Sequence, residues 1–289
     1  MSGTTSGHYE SHTADSYESA YFYSAGDYTN YLRDTVKRAL HLPASASTNS
    51  TCVRRLIDIG GGTGNFTRMI LEGVPNVEGV VIDPFLAAGS TDTGRNGGVD
   101  DIRFVKASAE DFASNETTTS STGDEWWKSG YHYILLKEVV HHLPYECRSD
   151  IFRGLRSGLA DLDDSRGHNE GPSLLIVTRP QVEIDYPLWP AAREVWAANQ
   201  PSASDIEADL KVAGFQHVES KLQTYPASIE LDRWLDMVNS RFWSTFSKFS
   251  DEELKEACNL IRDEAIKSSK VDDDGIVHFE DRLVFITAR

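Results

Sequence analysis

One stretch constrains the fold more than any other: Leu56-Ile57-Asp58-Ile59 runs directly into Gly60-Gly61-Gly62-Thr63-Gly64-Asn65-Phe66. An apolar segment near an acid, followed by four glycines in five positions, reads as a buried strand that turns sharply into a helix. The missing side chains let the backbone approach a ligand closely. A tight strand–helix turn alone needs one or two glycines, so four point to a ligand of nucleotide type. The spacing narrows the choice. A dinucleotide fingerprint, G-x-G-x-x-G/A, would want a small residue at position 65, where Asn65 stands. A phosphate-binding loop would need a following Gly-Lys-Ser/Thr, which the sequence lacks.

The chain beyond this turn alternates strand-like and helix-like stretches. Strands are expected near 55–59, 77–82, 102–105, 133–136 and 174–177, with helices from Asn65 and over about 146–159. A helix over 204–213 closes at Gly214 and leads to a strand at 218–225; helices near 229–246 and 251–266 precede a last strand at 276–287. Such alternation implies a parallel sheet with right-handed crossovers. The fold class expected is therefore α/β, Rossmann-like, with helices on both faces of the sheet. The chain divides on this reading into an N-terminal arm and lid (1–51), a core (52–225), a helical cap insert (226–275) and a last core strand (276–289).

The same residues resemble the class I S-adenosylmethionine-dependent methyltransferases, whose pattern is D-x-G-x-G-x-G with an acid closing the next strand. That acid is Asp83, in Val81-Ile82-Asp83-Pro84, 19 residues after Gly64. The resemblance implies a seven-stranded, mostly parallel sheet with an antiparallel last strand, and S-adenosyl-L-methionine as cofactor. It places the glycine loop, Gly60, Gly62 and Gly64, against the methionine part of the cofactor, supported by Asp58, with Asp83 and Pro84 at the ribose. A carboxylate there can accept both ribose hydroxyls. Phe104 to Phe112 resembles the family's loop at the adenine edge, with Ser108, Ala109 and Glu110 as cofactor residues; which of Ser108, Glu110 and Asp111 meets the amine stays open. Tyr133 to Leu143, with Lys137 and ending in His141-His142-Leu143, resembles the fourth-strand motif of the small-molecule branch called methyltransferase type 11, whose tip faces the transferred methyl. His141 and His142 are the catalytic candidates. As adjacent residues they are expected to point different ways and not to share one role.

Composition bounds the acceptor. With 45 acidic against 28 basic residues the net charge is −17, a field that repels phosphate backbones and anionic headgroups. Nucleic acid and membrane are not expected partners, and a small-molecule substrate is. No 18-residue apolar window or secretory pattern is present, and Cys52, Cys147 and Cys258 form no C-x-x-C pair, so a cytoplasmic location and no metal site are expected. The sequence leaves the oligomeric state open.

Acceptor recognition is expected from the arm and the insert: Tyr17, Tyr21, Tyr23 and Tyr28, then Arg179, Tyr186, Trp189 and Arg193, and Arg241 and Trp243. The segments Ser16–Tyr23, Lys137–His142 and Arg241–Ser244 are similar to algal methylthiohydroxybutyrate S-methyltransferases, which implies a thioether acceptor in dimethylsulfoniopropionate (DMSP) synthesis. A thioether attacks through a lone pair and needs no base. Aromatic faces suit the positive charge that moves from the cofactor's sulfur to the acceptor's, and a guanidinium from Arg179, Arg193 or Arg241 suits the acceptor's carboxylate. Alternatives are an O- or N-methyltransferase with a histidine base, an NAD-dependent oxidoreductase, disfavoured by Asn65, and a non-catalytic protein that binds the same cofactor.

Overall fold

The structure, a computed structural model, describes residues 27–43, 53–86, 102–114, 130–160, 173–268 and 270–289. Its sheet has seven strands: β1 (Arg54–Ile59), β2 (Val77–Ile82), β3 (Ile102–Val105), β4 (Tyr133–Lys137), β5 (Leu174–Thr178), β6 (Val218–Glu230) and β7 (Ile276–Ala288). They lie in the order β3-β2-β1-β4-β5-β7-β6. β1 to β5 pair in parallel, and β7 runs antiparallel to β5 with Ile176 opposite Ile286. The expected class and the antiparallel last strand are both present.

The helices are α1 (Asp27–Ala39), α2 (Asn65–Leu71), α3 (Ala109–Ala113), α4 (Arg148–Ser157), α5 (Pro190–Asn199), α6 (Ala203–Val212), α7 (Leu231–Asn239) and α8 (Asp251–Lys267). Two differences from the sequence reading have local causes. The helix expected over 229–246 begins at Leu231, because β6 continues to Glu230, and it stops at Asn239 where Arg241 takes φ 55°. α5 was not expected at all: its Ala-rich sequence shows weak periodicity, and it starts on Pro190, whose fixed φ suits a first helical position.

The chain forms two compact units. Of the described residues, one comprises those within Leu32–Thr178, Ala203–Lys221 and Val284–Arg289; the other comprises those within Arg179–Ser202 and Leu222–Leu283, with 27–31. In the first, β4 and β5 are buried on both faces, as central parallel strands must be, and Ile57, Ile59, Ile134, Leu136, Leu174 and Ile176 pack with Phe152 and Leu155 of α4. In the second, Tyr186, Trp189, Trp196, Trp234, Trp243 and Phe246 make an aromatic core. Arg179–Ser202 joins that unit because its rings pack there, with Trp196 5.3 Å from Trp243. Among the described residues no helix is long and apolar enough to cross a membrane, and no cluster of His, Cys, Asp and Glu could hold a metal ion.

Candidate functional site

The glycine loop leaves β1 as an extension of the sheet, since Gly60 N–H donates to Ile82 O at 2.7 Å. Gly60 and Gly64 both have positive φ, 72° and 74°, and the space around them is closed. A Cβ on Gly60 would lie 2.5 Å from Val139 Cγ2, and one on Gly64 3.0 Å from the Phe104 ring. Gly62, at φ 55°, is different, because a Cβ there would meet nothing within 4 Å. The loop thus presses its flanks into the protein and borders open space at Gly62.

Asp58 lies beneath this loop, buried, and Thr67 Oγ1 on α2 donates to its Oδ2 at 2.5 Å. A Cβ on Gly61 would fall 2.6 Å from the same oxygen, so Gly61 is required for the carboxylate to sit there. Burial pushes the Asp58 carboxyl up to about 6; the Thr67 bond and the Lys137 charge work against that rise, and Asp83 adds to it.

Asp83 follows β2. Gly62 N–H donates to its Oδ2 at 3.0 Å, and Phe85 N–H donates to Oδ1 at 2.8 Å in an Asx-type turn. Burial raises its pKa and the two N–H bonds pull it back. An ionised carboxylate offers about four lone-pair sites, so two backbone bonds leave acceptor capacity on both oxygens. Pro84 and Phe85 come next, and Phe85 is 47% exposed. Phe85 and Thr67 were not picked out from the sequence. The signals were an aromatic just past the Asp-Pro pair, and a hydroxyl in the helix that follows the glycine loop.

The loop after β3 ends in Ser108, whose Oγ accepts Asp111 N–H at 3.0 Å and caps α3; Ala109 is buried, Glu110 half-buried and Asp111 exposed. At the tip of β4, Lys137 Nζ lies 4.9 Å from the centre of the Phe66 ring, and Glu138 takes φ 57° while its N–H donates to Val177 O. His141 and His142 follow in a single 3-10 turn, Val140–His142, with ring centroids 4.0 Å apart. The expectation that these rings diverge is therefore corrected. Successive residues of a 3-10 turn are about 120° apart, and the two side chains swing together here.

The structure brings together Asp58, Gly60, Gly62, Gly64, Asp83, Pro84 and Lys137 in the first unit. The acceptor candidates fall differently. Tyr17, Tyr21 and Tyr23 lie outside the described residues. Tyr28, Tyr186, Trp189 and Trp243 are buried in the second unit, Trp189 stacked on Phe246 at 5.8 Å and Trp243 edge-on to Tyr186 at 4.8 Å. Arg193 donates to the carbonyls of Ile184, Tyr186 and Leu188 and so pins the segment before α5. Arg241 donates to Phe249 O and pairs with Asp251 at 2.6 Å. Arg179 is buried beside Asp281.

No protein-family model and no curated protein matches the sequence. Solved structures do. A protein of Anabaena variabilis, assigned as a methyltransferase of an antibiotic biosynthesis pathway, aligns over 89% of this chain and 96% of its own, with TM-score 0.58 and 12% identity. The YcgJ protein of Bacillus subtilis aligns over 90% and 97% with TM-score 0.51 and 15% identity. A protein of Bacillus halodurans, also assigned as a methyltransferase, aligns over 89% and 97% with TM-score 0.50 and 16% identity. The fold is thus the Rossmann-like fold of the methyltransferases.

Proposed function

We propose that this chain is an S-adenosyl-L-methionine-dependent methyltransferase acting on a small soluble molecule. The observation that carries the reading is the pairing of Asp83 with the glycine loop. The carboxylate is fixed by Gly62 N–H and Phe85 N–H, keeps acceptor capacity for a vicinal diol, and adjoins the one glycine of the loop that borders open space. These residues fit the cofactor. Asp83 would bind its ribose hydroxyls, Phe85 would offer a face to the adenine, and Asp58, through Thr67 and Gly61, would hold the loop against the methionine part. Bound there, the cofactor supplies an electrophilic methyl group on a sulfonium. The chain's own contribution is to hold the two reactants in line and exclude water, worth roughly 7–11 kcal/mol in favourable cases.

The acceptor reaction we put forward is S-methylation of 4-methylthio-2-hydroxybutyrate in DMSP biosynthesis. It is supported by the sequence resemblance and by chemistry: a thioether needs no deprotonation, and aromatic faces tolerate the charge as it passes between sulfurs. Tyr17, Tyr21 and Tyr23 remain candidates for acceptor recognition in this reading. A second reading, O- or N-methylation, is favoured by the two imidazoles at the tip of β4, either of which is a suitable base.

Calorimetry with adenosylhomocysteine and NAD tests the class, and transfer of a labelled methyl group to 4-methylthio-2-hydroxybutyrate, a thiol, a phenol and an amine tests the acceptor. Binding of NAD alone refutes the cofactor. Turnover of only the phenol or amine, lost in His141→Ala or His142→Ala, moves the acceptor to the second reading. Binding without any turnover points to a non-catalytic role.

A further inference from the structure

Asp281 sits in the middle of β7 with none of its surface exposed. Tyr28, on the first turn of α1, donates its hydroxyl to Oδ2, and Tyr186 donates to Oδ1. Arg179, 2% exposed, has its Nε 3.5 Å from Oδ1 and donates to the Tyr186 hydroxyl at 2.9 Å. Tyr186 thus accepts from the guanidinium and passes its own proton bond to the carboxylate. The guanidinium carbon lies 5.5 Å from the centre of the Tyr186 ring and 5.9 Å from that of Trp243. Tyr28 and Tyr31 also pack on Tyr225, at 5.1 and 4.7 Å.

Two buried charges are costly to remove from water unless each meets the other and its hydrogen-bonding groups are occupied. The two charges meet each other, both Asp281 oxygens accept from tyrosine hydroxyls, and the Arg179 Nε donates to the Tyr186 hydroxyl. A guanidinium fork that reads a ligand carboxylate would instead keep its charge for the ligand. We infer that Arg179 and Asp281 form a closed buried charge pair, with Tyr28 and Tyr186 as its hydrogen-bonded arms, that positions the segment leaving β5 and the start of α1 and does not bind an acceptor carboxylate. Only the kinetic consequence rests on the methyltransferase reading and on 4-methylthio-2-hydroxybutyrate as its acceptor. Position matters at this point because Val177 is in register with Lys137, so Arg179 begins the segment leaving the carboxyl end of the strand beside β4. Segments at such strand ends carry the ligand contacts of open α/β sheets.

The test is a double-mutant cycle with a kinetic arm. Arg179→Met and Asp281→Asn, each alone, strand a buried partner and should each lower the thermal midpoint by on the order of 10 °C. The double variant, with neither charge, should recover at least about half of the summed loss, because the coupling is pairwise. In the double variant, the ratio of kcat/KM for 4-methylthio-2-hydroxybutyrate to that for its uncharged methyl ester should stay within about threefold of wild type. Tyr28→Phe keeps the ring on Tyr225 and loses only the hydroxyl. It should leave adenosylhomocysteine affinity unchanged while acceptor kcat/KM falls about tenfold, the loss expected for one bond to a charged group. Additive losses in the cycle, a selective tenfold loss for the acid over the ester, or wild-type kinetics in Tyr28→Phe each overturn the inference. Failure of the wild-type protein to bind adenosylhomocysteine would instead refute the methyltransferase reading, and the thermal cycle would still decide the charge pair.

Discussion

Replacing Asp83 by Asn tests the cofactor assignment most directly. The substitution keeps the side chain's shape and one acceptor oxygen, so Phe85 N–H or Gly62 N–H retains a partner. The other position becomes an NH2 donor facing a backbone donor, and the negative charge is gone. If both ribose hydroxyls bond the carboxylate at ~1.5–3 kcal/mol each, full loss amounts to ~3–6 kcal/mol. With one acceptor oxygen retained, the lower end applies, about a hundredfold weaker binding at 1.4 kcal/mol per factor of ten. Asp83→Ala, which leaves both N–H groups unpaired, should weaken binding further and also loosen the loop. Calorimetric titration with adenosylhomocysteine reads the affinity, and circular dichroism confirms folding. An Asp83→Asn protein that folds and binds within about threefold of wild type would refute the reasoning.

Further outcomes follow from the same geometry. Burial raises the Asp58 pKa from the ordinary carboxylate range to about 6, so its ionisation destabilises the fold as pH rises through that window and the cost is complete above it. Asp58→Asn should therefore gain stability over wild type by roughly 1–1.5 kcal/mol between pH 5 and pH 8, a trend that denaturant unfolding at the two pH values would confirm or contradict. Gly60→Ala forces a Cβ into Val139 at positive φ, and should cost about 2–4 kcal/mol from strain and overlap together; adding Val139→Ala should return only the overlap part in a thermal melt. Ser250 caps α8 in a reciprocal box with Glu253, so Ser250→Ala should cost about 1 kcal/mol and leave adenosylhomocysteine binding unchanged; a change in binding would show that α8 is coupled to the cofactor site.

What the sequence determined by itself is the part of the protein whose physics is local. Asp58, the glycines at 60, 62 and 64, and Asp83 lie within a few residues of strand ends whose burial is written in their own apolar runs, and β2 and β3 fall where their patterns put them. The α/β class and the antiparallel last strand were legible for the same reason. Tertiary structure decided what depends on residues far apart in the chain. Asp281 reads as an unremarkable acid in a strand until Tyr28, 253 residues away, and Tyr186, 95 residues away, close on it. Nothing near Arg179 in sequence discloses its counter-charge, Asp281. For Trp189 and Trp243, an aromatic at helical spacing carries no sign of which partners its face meets, and in the fold each packs on other rings. Adjacency alone does not say how the two histidines turn, and the 3-10 turn beyond β4 brings their rings into contact. Local backbone demands are encoded one residue at a time, whereas the pairing of buried charges and rings is selected only when the whole chain excludes water from them.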